Sequence, residues 1–440
     1  MKLRVAPPGV VRVEGALRPP SDKSITQRAL ILSLLAEGTS RIEQPLRAGS
    51  TSAVQRAIER LGAVVVEHDR ALEVQSPLVL EPDDQLPLDL EGSGTGARLL
   101  LGALAGRGVR AEITGDSSLR ARPMGRVVRP LLRMGASIRG PDLERLPLRV
   151  SSTPPLEPWS GELEVASAQA KSAVLLAALG AAGGTLLHER QPTRTHTESM
   201  LQEFGAKITV RPNGAGIDVL LEGPQRLRAA TVRVPGDPSA AAFHAAAAAS
   251  RPGSRAEFRE VLIDPRRAAF FDLLQRMGAR VERGDAVRRG GELIGTITVE
   301  GAELQAAEVG PADVPDLIDE LPLVAVLGAV ARGTTRVHGA AELRIKESDR
   351  IHALGDGLAR LGVRVWLEPD GFLVEGGREL RGADVSSHGD HRVAMALVVA
   401  ALSARGESTI DGFECAEVSY PGFLEDLAAL LHARPFSAVA

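Results

Sequence analysis

Apolar and polar positions along the chain follow a double pattern that returns six times. A stretch of small and aliphatic residues closes at Gly38, Gly108, Gly184, Gly253, Gly333 and Gly406, at separations of 70, 76, 69, 80 and 73 positions. An amphipathic stretch follows each and closes at Gly62, Gly135, Gly205, Gly278 and Gly362; the sixth copy, around Leu427 to Leu430, lacks its glycine. Repetition at this period marks a repeated supersecondary unit.

The first stretch of each repeat, such as ARLLLGALAG, AAAFHAAAAAS or VAMALVVAALSARG, is apolar on every face and predicts a helix buried all round. Its glycine reads as a left-handed C-terminal cap. A short strand follows, as at 110–114 or 335–338, and then an outer, amphipathic helix over 55–61, 126–134, 197–204, 267–277 and 348–361. The second glycine turns the chain into another strand, as at 63–67 or 363–367. Six such α/β units exceed one core, since single cores stop growing at about 250 to 300 residues. Two lobes of three units are therefore expected, 18–234 for units one to three and 1–17 with 235–440 for units four to six. The crossings fall at Arg18-Pro19-Pro20 and Val234-Pro235-Gly236, with a ligand cleft between the lobes and hinge closure around it.

Composition narrows the class. A net charge of −4 gives no global field for nucleic acid or an anionic membrane, and 3% aromatics removes the usual base-stacking platforms. Met1-Lys2-Leu3-Arg4 has no apolar signal-peptide core behind it, and the run 173–187 is too short and glycine-broken for a membrane span. The single cysteine, Cys415, excludes an internal disulfide and a multi-cysteine zinc site. A cytoplasmic enzyme is expected, monomeric for want of an exposed apolar stripe.

Chemistry gathers where the buried helices begin: SDKSITQR at 21–28, GSGTGAR at 92–98, SAQAKS at 167–172, GDPSA at 236–240, LIDEL at 317–321 and HGDHR at 388–392. Helix N-termini offer unpaired N–H groups and partial positive charge, hence anion sites. Capping alone accounts for Ser21 or Ser167. It does not account for Lys23, Arg28 and Arg392, cations that oppose the helix dipole and need a negative partner. Of 52 basic residues only Lys2, Lys23, Lys171, Lys207 and Lys346 are lysine, so a lysine in a polar cluster is a choice against the chain's bias. Lys171 reads as structural. In IKESDRI, 345–351, a helix would set Lys346 and Arg350 four apart on one face with Glu347 beside them, at a loop address where units two and three also carry cations.

These segments together resemble the 5-enolpyruvylshikimate-3-phosphate synthase family over nearly the whole chain. The motifs are PSDKSITQRA, GSGTGAR, GDSSLRARPM, SAQAKSAVLLA, LIDELP, RIKESDRI and DHRVAMA, in that order. The resemblance implies an α/β, two-lobed enolpyruvyl transferase-like fold with buried parallel helices, three units per lobe. It implies transfer of the enolpyruvyl group of phosphoenolpyruvate to the 5-hydroxyl of shikimate 3-phosphate, in aromatic amino acid biosynthesis, with no metal or organic cofactor. By the same resemblance Ser24, Arg28, Ser167 and Gln169 bind shikimate 3-phosphate, with Lys346 and Asp319 at its ring hydroxyls. Lys23, Gly94, Arg122, Arg350 and Arg392 bind phosphoenolpyruvate, and Gln169 touches both. Asp319 is the base at the 5-hydroxyl, and Glu347 is the candidate for proton exchange at the methylene carbon.

The chain departs from enterobacterial members at Gly92, Ala168 and Val418, where they carry Asn, Ser and Lys. Those losses resemble the second, more divergent bacterial class, in which Arg194 looks like an extra phosphate ligand. Gly94 leaves the phosphoenolpyruvate pocket uncrowded, so glyphosate sensitivity is expected. Other readings compete. GSGTGA with Asp116 about 20 residues on imitates a dinucleotide fingerprint. His388, Asp390 and His391 imitate metal ligands without a complete set. The UDP-N-acetylglucosamine enolpyruvyl transferase family shares the fold but uses a loop cysteine or Asp and a Lys-Asn start, whereas Lys23 precedes Ser and Cys415 lies in another segment. A noncatalytic scaffold would have little reason to hold Lys23, Asp319, Glu347 and three arginines together.

Overall fold

Small-residue helices flanked by short β-prone runs give the chain its repeating element. In the computed structural model, which describes residues 1–7, 9, 12–77, 79–80 and 87–439, the helices run in chain order as follows. They are α1 (Lys23–Leu35), α2 (Gly49–Arg60), α3 (Gly94–Arg107), α4 (Ser117–Ala121), α5 (Gly125–Arg133), α6 (Ala168–Ala178) and α7 (His196–Glu203), then α8 (Pro238–Ala249), α9 (Ala269–Arg276), α10 (Val314–Leu317), α11 (Leu321–Val330), α12 (Arg350–Arg360), α13 (His391–Ala401) and α14 (Phe423–Leu431). Helices α1, α3, α6, α8, α11 and α13 are the apolar ones, and α3 is buried from Gly94 to Gly106. Pro8, Val10 and Val11 of the N-terminal stretch lie outside the described residues.

Each repeat carries four strands rather than the two expected. Its sheet has a short leading strand parallel to the strand that follows the buried helix, and in repeats one to five a hairpin completes the sheet antiparallel. In the second repeat Leu88–Asp89 pairs with Ala111–Thr114, which pairs with Leu148–Val150, which pairs with Ile138–Arg139. Leading strands of two to four residues are too short for an alternating pattern to reveal them.

The chain divides into two compact units, Ser21–Val234 with Arg289–Glu292, and Met1–Pro20 with Pro235–Arg288 and Leu293–Ala440. In the first, Thr231–Arg233 lies parallel to Thr39–Glu43 and so supplies the leading strand of repeat one from the far end of the unit. In the second, the N-terminus supplies two strands. Glu14–Leu17 leads repeat four beside Arg255–Leu262, and Lys2–Val5 fills a central slot in the sheet of repeat six, between Ser408–Asp411 and Phe436–Val439.

The second glycine series closes the outer helices by one mechanism. Gly62, Gly135, Gly205, Gly278 and Gly362 all have positive φ, between 79° and 103°. After α2, Gly62 N–H donates to Glu59 O (2.9 Å) and Ala63 N–H to Ile58 O (3.1 Å), the paired bonds of a Schellman turn. The sixth copy keeps those bonds without glycine: after α14, His432 takes φ 50°, with Ala433 N–H donating to Ala428 O. The first series behaves otherwise. Only Gly108 caps its own helix in the left-handed region. Helix α1 stops at Leu35 because Ala36–Glu37 is drawn into a two-stranded ladder with Leu227–Arg228, leaving Gly38 in the turn beyond. Gly184 opens a strand.

Small residues let buried helices meet backbone to backbone. A Cβ on Gly102 of α3 would lie 2.0 Å from the Ala173 carbonyl oxygen of α6, so only glycine fits. No helix among the described residues is long and apolar enough to cross a membrane.

Candidate active site

In the Ser21–Val234 unit, side-chain bonds tie the N-termini of all three buried helices to one another. Asp22, not Ser21, caps α1, accepting Ile25 N–H at 2.9 Å; Ser93 caps α3 and Ser167 caps α6. Gln27 Nε2 reaches from α1 to Ser93 Oγ at 2.9 Å. Arg98 Nη1 donates to Gln169 Oε1 at 2.6 Å, and Gln169 Nε2 donates to Thr95 Oγ1 at 2.9 Å, binding α3 to α6. Arg28 crosses from α1 to α6 and α7, donating to Ser172 Oγ (3.2 Å), Thr197 Oγ1 (2.9 Å) and the Ser24 carbonyl (3.1 Å).

Arg28 is buried and makes no ion pair among the described residues. Burial lowers its pKa to about 10, with Asp22 and Glu198 working the other way, so it stays charged at neutral pH. A buried guanidinium met only by hydroxyls and a carbonyl favours an incoming anion. Lys23 and Ser24 stand half-buried on the same helical turn, and Ser167 and Gln169 open α6. Arg122 ends α4, and its guanidinium lies against Gly94: a Cβ there would be 2.9 Å from Arg122 Nη1 and 3.0 Å from Arg98 Nη1. Arg194, in the loop before α7, is close enough to Arg28 for their charges to oppose. Of the residues expected in this unit, Lys23, Ser24, Arg28, Gly94, Arg122, Ser167, Gln169 and Arg194 thus gather around these helix ends.

The other unit holds a different kind of cluster. Arg350, 1% exposed, donates through Nε to Asp390 Oδ2 at 2.7 Å and through Nη2 to Glu347 Oε2 at 2.7 Å; its Nη1 stands 4.0 Å from Asp319 Oδ1 with no hydrogen-bond acceptor. Burial opposes its charge, yet Asp390 and Glu347 hold its pKa above the ordinary value. Asp390 caps α13; burial pushes its pKa up, and Arg350 more than offsets this, leaving it below the usual range. Arg392 Nη1 donates to the Asp319 carbonyl at 3.0 Å, and its Nε is 3.8 Å from Asp319 Oδ1. Lys346 Nζ lies 3.5 Å from Glu342, and burial lowers its pKa against the pull of Glu342 and Asp319. Asp319, Glu347, Lys346, Arg350 and Arg392 are therefore one network.

Two expectations need correction. Lys346 to Asp349 is not helical: a 3-10 turn over Ala341–Ile345 precedes it and α12 begins at Arg350, capped by Asp349. Lys346 and Arg350 therefore meet through the loop's fold, not through helical spacing. The start of α8 is no open anion site, because Asp237 caps it and pairs with the buried Arg267 at 2.9 Å. Around Asp319 the cations Lys346, Arg350 and Arg392 face five carboxylates, Asp319, Glu320, Glu342, Glu347 and Asp390, so carboxylates outnumber cations in this cluster.

Sequence reasoning missed Arg98, Gln27, Ser172 and Thr197 as organisers. The signal was there for Arg98 and Gln27, polar side chains inside helices otherwise apolar on all faces. The competing readings find no support in these positions. Asp116 caps α4, accepting Leu119 N–H at 2.7 Å, and is not a ribose ligand poised beyond a dinucleotide loop. Asp390 is turned onto Arg350, and no group of three or more His, Cys, Asp or Glu among the described residues is placed to hold a metal. Burial pushes the Cys415 thiol up to about 11, unlike a reactive loop cysteine.

Comparison with known proteins agrees. The model of the family described as EPSP synthase (3-phosphoshikimate 1-carboxyvinyltransferase) matches residues 7–427. The chain is 42% identical over 429 residues to a 3-phosphoshikimate 1-carboxyvinyltransferase of Sulfurihydrogenibium sp., covering 95% of this chain and 97% of the relative. It is 43% identical over 420 residues to that of Anaeromyxobacter sp., covering 95% and 96%. A solved EPSP synthase of Acinetobacter baumannii superposes over the full length of both chains with TM-score 0.86 at 33% identity. Apolar helices, sheet plan and sequence converge: the chain belongs to the EPSP synthase (3-phosphoshikimate 1-carboxyvinyltransferase) family.

Proposed function

We propose that the two clusters act on one pair of substrates, the Ser21–Val234 unit supplying most of the anion ligands and the other unit the acid–base groups together with Arg350 and Arg392. The reaction moves the enolpyruvyl group of phosphoenolpyruvate to the 5-hydroxyl of shikimate 3-phosphate. The oxygen of that hydroxyl bonds to C2 of phosphoenolpyruvate while its methylene carbon gains a proton. The tetrahedral adduct then loses a proton from that carbon, the C2–phosphate bond breaks, and phosphate leaves. No electrons change hands.

On this reading Arg28, Ser24, Ser167 and Gln169 hold shikimate 3-phosphate, with Arg194 as an added phosphate ligand. Lys23, Gly94, Arg122, Arg350 and Arg392 receive phosphoenolpyruvate. Asp319 takes the proton of the 5-hydroxyl beside Lys346, and Glu347 exchanges a proton at the methylene carbon. The observation that carries the proposal is Arg28: a buried cation held by three neutral acceptors, beside two further helix starts, is built for a phosphate. Asp319 fits the base because Lys346, Arg350 and Arg392 surround it and stabilise the carboxylate that must be present before proton abstraction.

Gly92, Ala168 and Arg194 favour the second, more divergent bacterial class of the family. The substrates are phosphorylated metabolites, and we place the enzyme in the cytoplasm as a monomer, which sedimentation would check. The functional test is phosphate release with both substrates present. Arg28→Ala should raise KM for shikimate 3-phosphate far more than KM for phosphoenolpyruvate, and equal effects on both would oppose the assignment.

A further inference from the structure

Two adjacent cross-links join α6 to α7 beside Arg28. In one, Ser172 Oγ and Thr197 Oγ1 lie 2.6 Å apart, and both accept from the Arg28 guanidinium. In the other, the preceding residue of α6 and the following residue of α7 repeat the link with charge. Lys171 Nζ stands 2.6 Å from Glu198 Oε1 and 2.8 Å from Glu189 Oε2, with side chains 0%, 2% and 5% exposed. Glu189 is further served by the Thr193 hydroxyl at 2.6 Å, whereas neither Glu198 oxygen has a hydrogen-bond partner beyond the ammonium it pairs with.

Two carboxylates against one ammonium leave an excess negative charge in the interior. Glu198 adjoins Thr197, which orients Arg28, and Arg28 feels the Glu198 charge. Where water is excluded, such charges act over several ångströms.

We propose that Glu198, held by Lys171, is a positioning residue that tempers the grip of Arg28 on the phosphate of shikimate 3-phosphate while fixing the Thr197 hydroxyl against the guanidinium. This rests on the assignment of Arg28 to that phosphate. A purely structural salt bridge would behave differently when cut from either side, since loss of either partner would loosen the site. A charge-setting pair must move affinity in opposite directions.

Calorimetric binding of shikimate 3-phosphate to the whole enzyme, with KM for each substrate, separates the two. Glu198→Gln keeps the side chain's shape, balances Lys171 with Glu189 alone, and should tighten shikimate 3-phosphate binding by about tenfold while KM for phosphoenolpyruvate stays put. Lys171→Met should weaken the same binding. Weakening in both variants, or no change in Glu198→Gln, overturns the proposal; if Lys171→Met does not fold, Glu198→Gln decides alone. Arg28→Lys serves as the reference. If it leaves shikimate 3-phosphate binding intact, the assignment of Arg28 is at fault; if it weakens binding and Glu198→Gln does not strengthen it, only the role of Glu198 is.

Discussion

Arg350 organises the second cluster, because its single guanidinium spans Asp390, Glu347 and the approach to Asp319. Removing a partner from a buried ion pair costs more than the pair contributes. Asp390→Asn should therefore lower stability by about 3 kcal/mol in denaturant titration at neutral pH. Asp390 has a depressed pKa in the folded chain, so its contribution is complete above the ordinary aspartate value of about 3.9 and is lost as pH falls through the lower folded value. The gap between wild type and variant should accordingly close in acid, and a gap that widens below pH 4 would contradict the pairing. Gly94 offers a second residue-scale test. A methyl there meets the Arg122 guanidinium at 2.9 Å, a flexible end that can retreat. Gly94→Ala should raise KM for phosphoenolpyruvate and weaken glyphosate inhibition by about tenfold or more, roughly 1.4 kcal/mol, and unchanged inhibition would count against this placement.

Between residues and molecule lie the helix ends, where the repeat is most legible. Outer helices announced their ends because a left-handed residue after the last turn is nearly always glycine, and five of six copies carry it. Gly362 has open space around its Cβ position and φ 85°, so Gly362→Ala should cost about 1 kcal/mol from backbone strain alone. His432 occupies the same station with a side chain, and His432→Gly should stabilise by about 0.5 kcal/mol, the relief of strain exceeding the added chain entropy. A destabilised His432→Gly would mean that the imidazole makes a contact worth more than its strain. Other elements were hidden for physical reasons. Leading strands such as Leu88–Asp89 gain their pairing from a neighbour far along the chain, and Lys346–Asp349 leaves the helix because Asp349 caps α12 in its place. The first cause is remote in sequence and the second is a single cap, so a periodic pattern carries neither.

At the scale of the molecule, one repeated unit has been specialised in two directions. In the Ser21–Val234 unit three helix starts are cross-linked by side chains that include Arg98 and Arg28, the latter donating to two hydroxyls and a carbonyl, and in the other unit the start of α8 is closed by its own Asp237 while α11 to α13 assemble carboxylates around Arg350. Motif order and the lysine bias drew attention to these ends; the sequence carried no sign of how the charges would pair there, because that balance depends on which side chains turn toward each other. If both clusters serve one reaction, neutralising the base must stop chemistry without emptying the anion site. Phosphorus NMR of stoichiometric enzyme, phosphoenolpyruvate and shikimate 3-phosphate, followed for wild type and Asp319→Asn, tests this most directly. Wild type should convert both to product and free phosphate, and Asp319→Asn should be slowed by about a hundredfold or more while shikimate 3-phosphate still shifts on binding; turnover undiminished in Asp319→Asn, or phosphate released without shikimate 3-phosphate, would overturn the assignment.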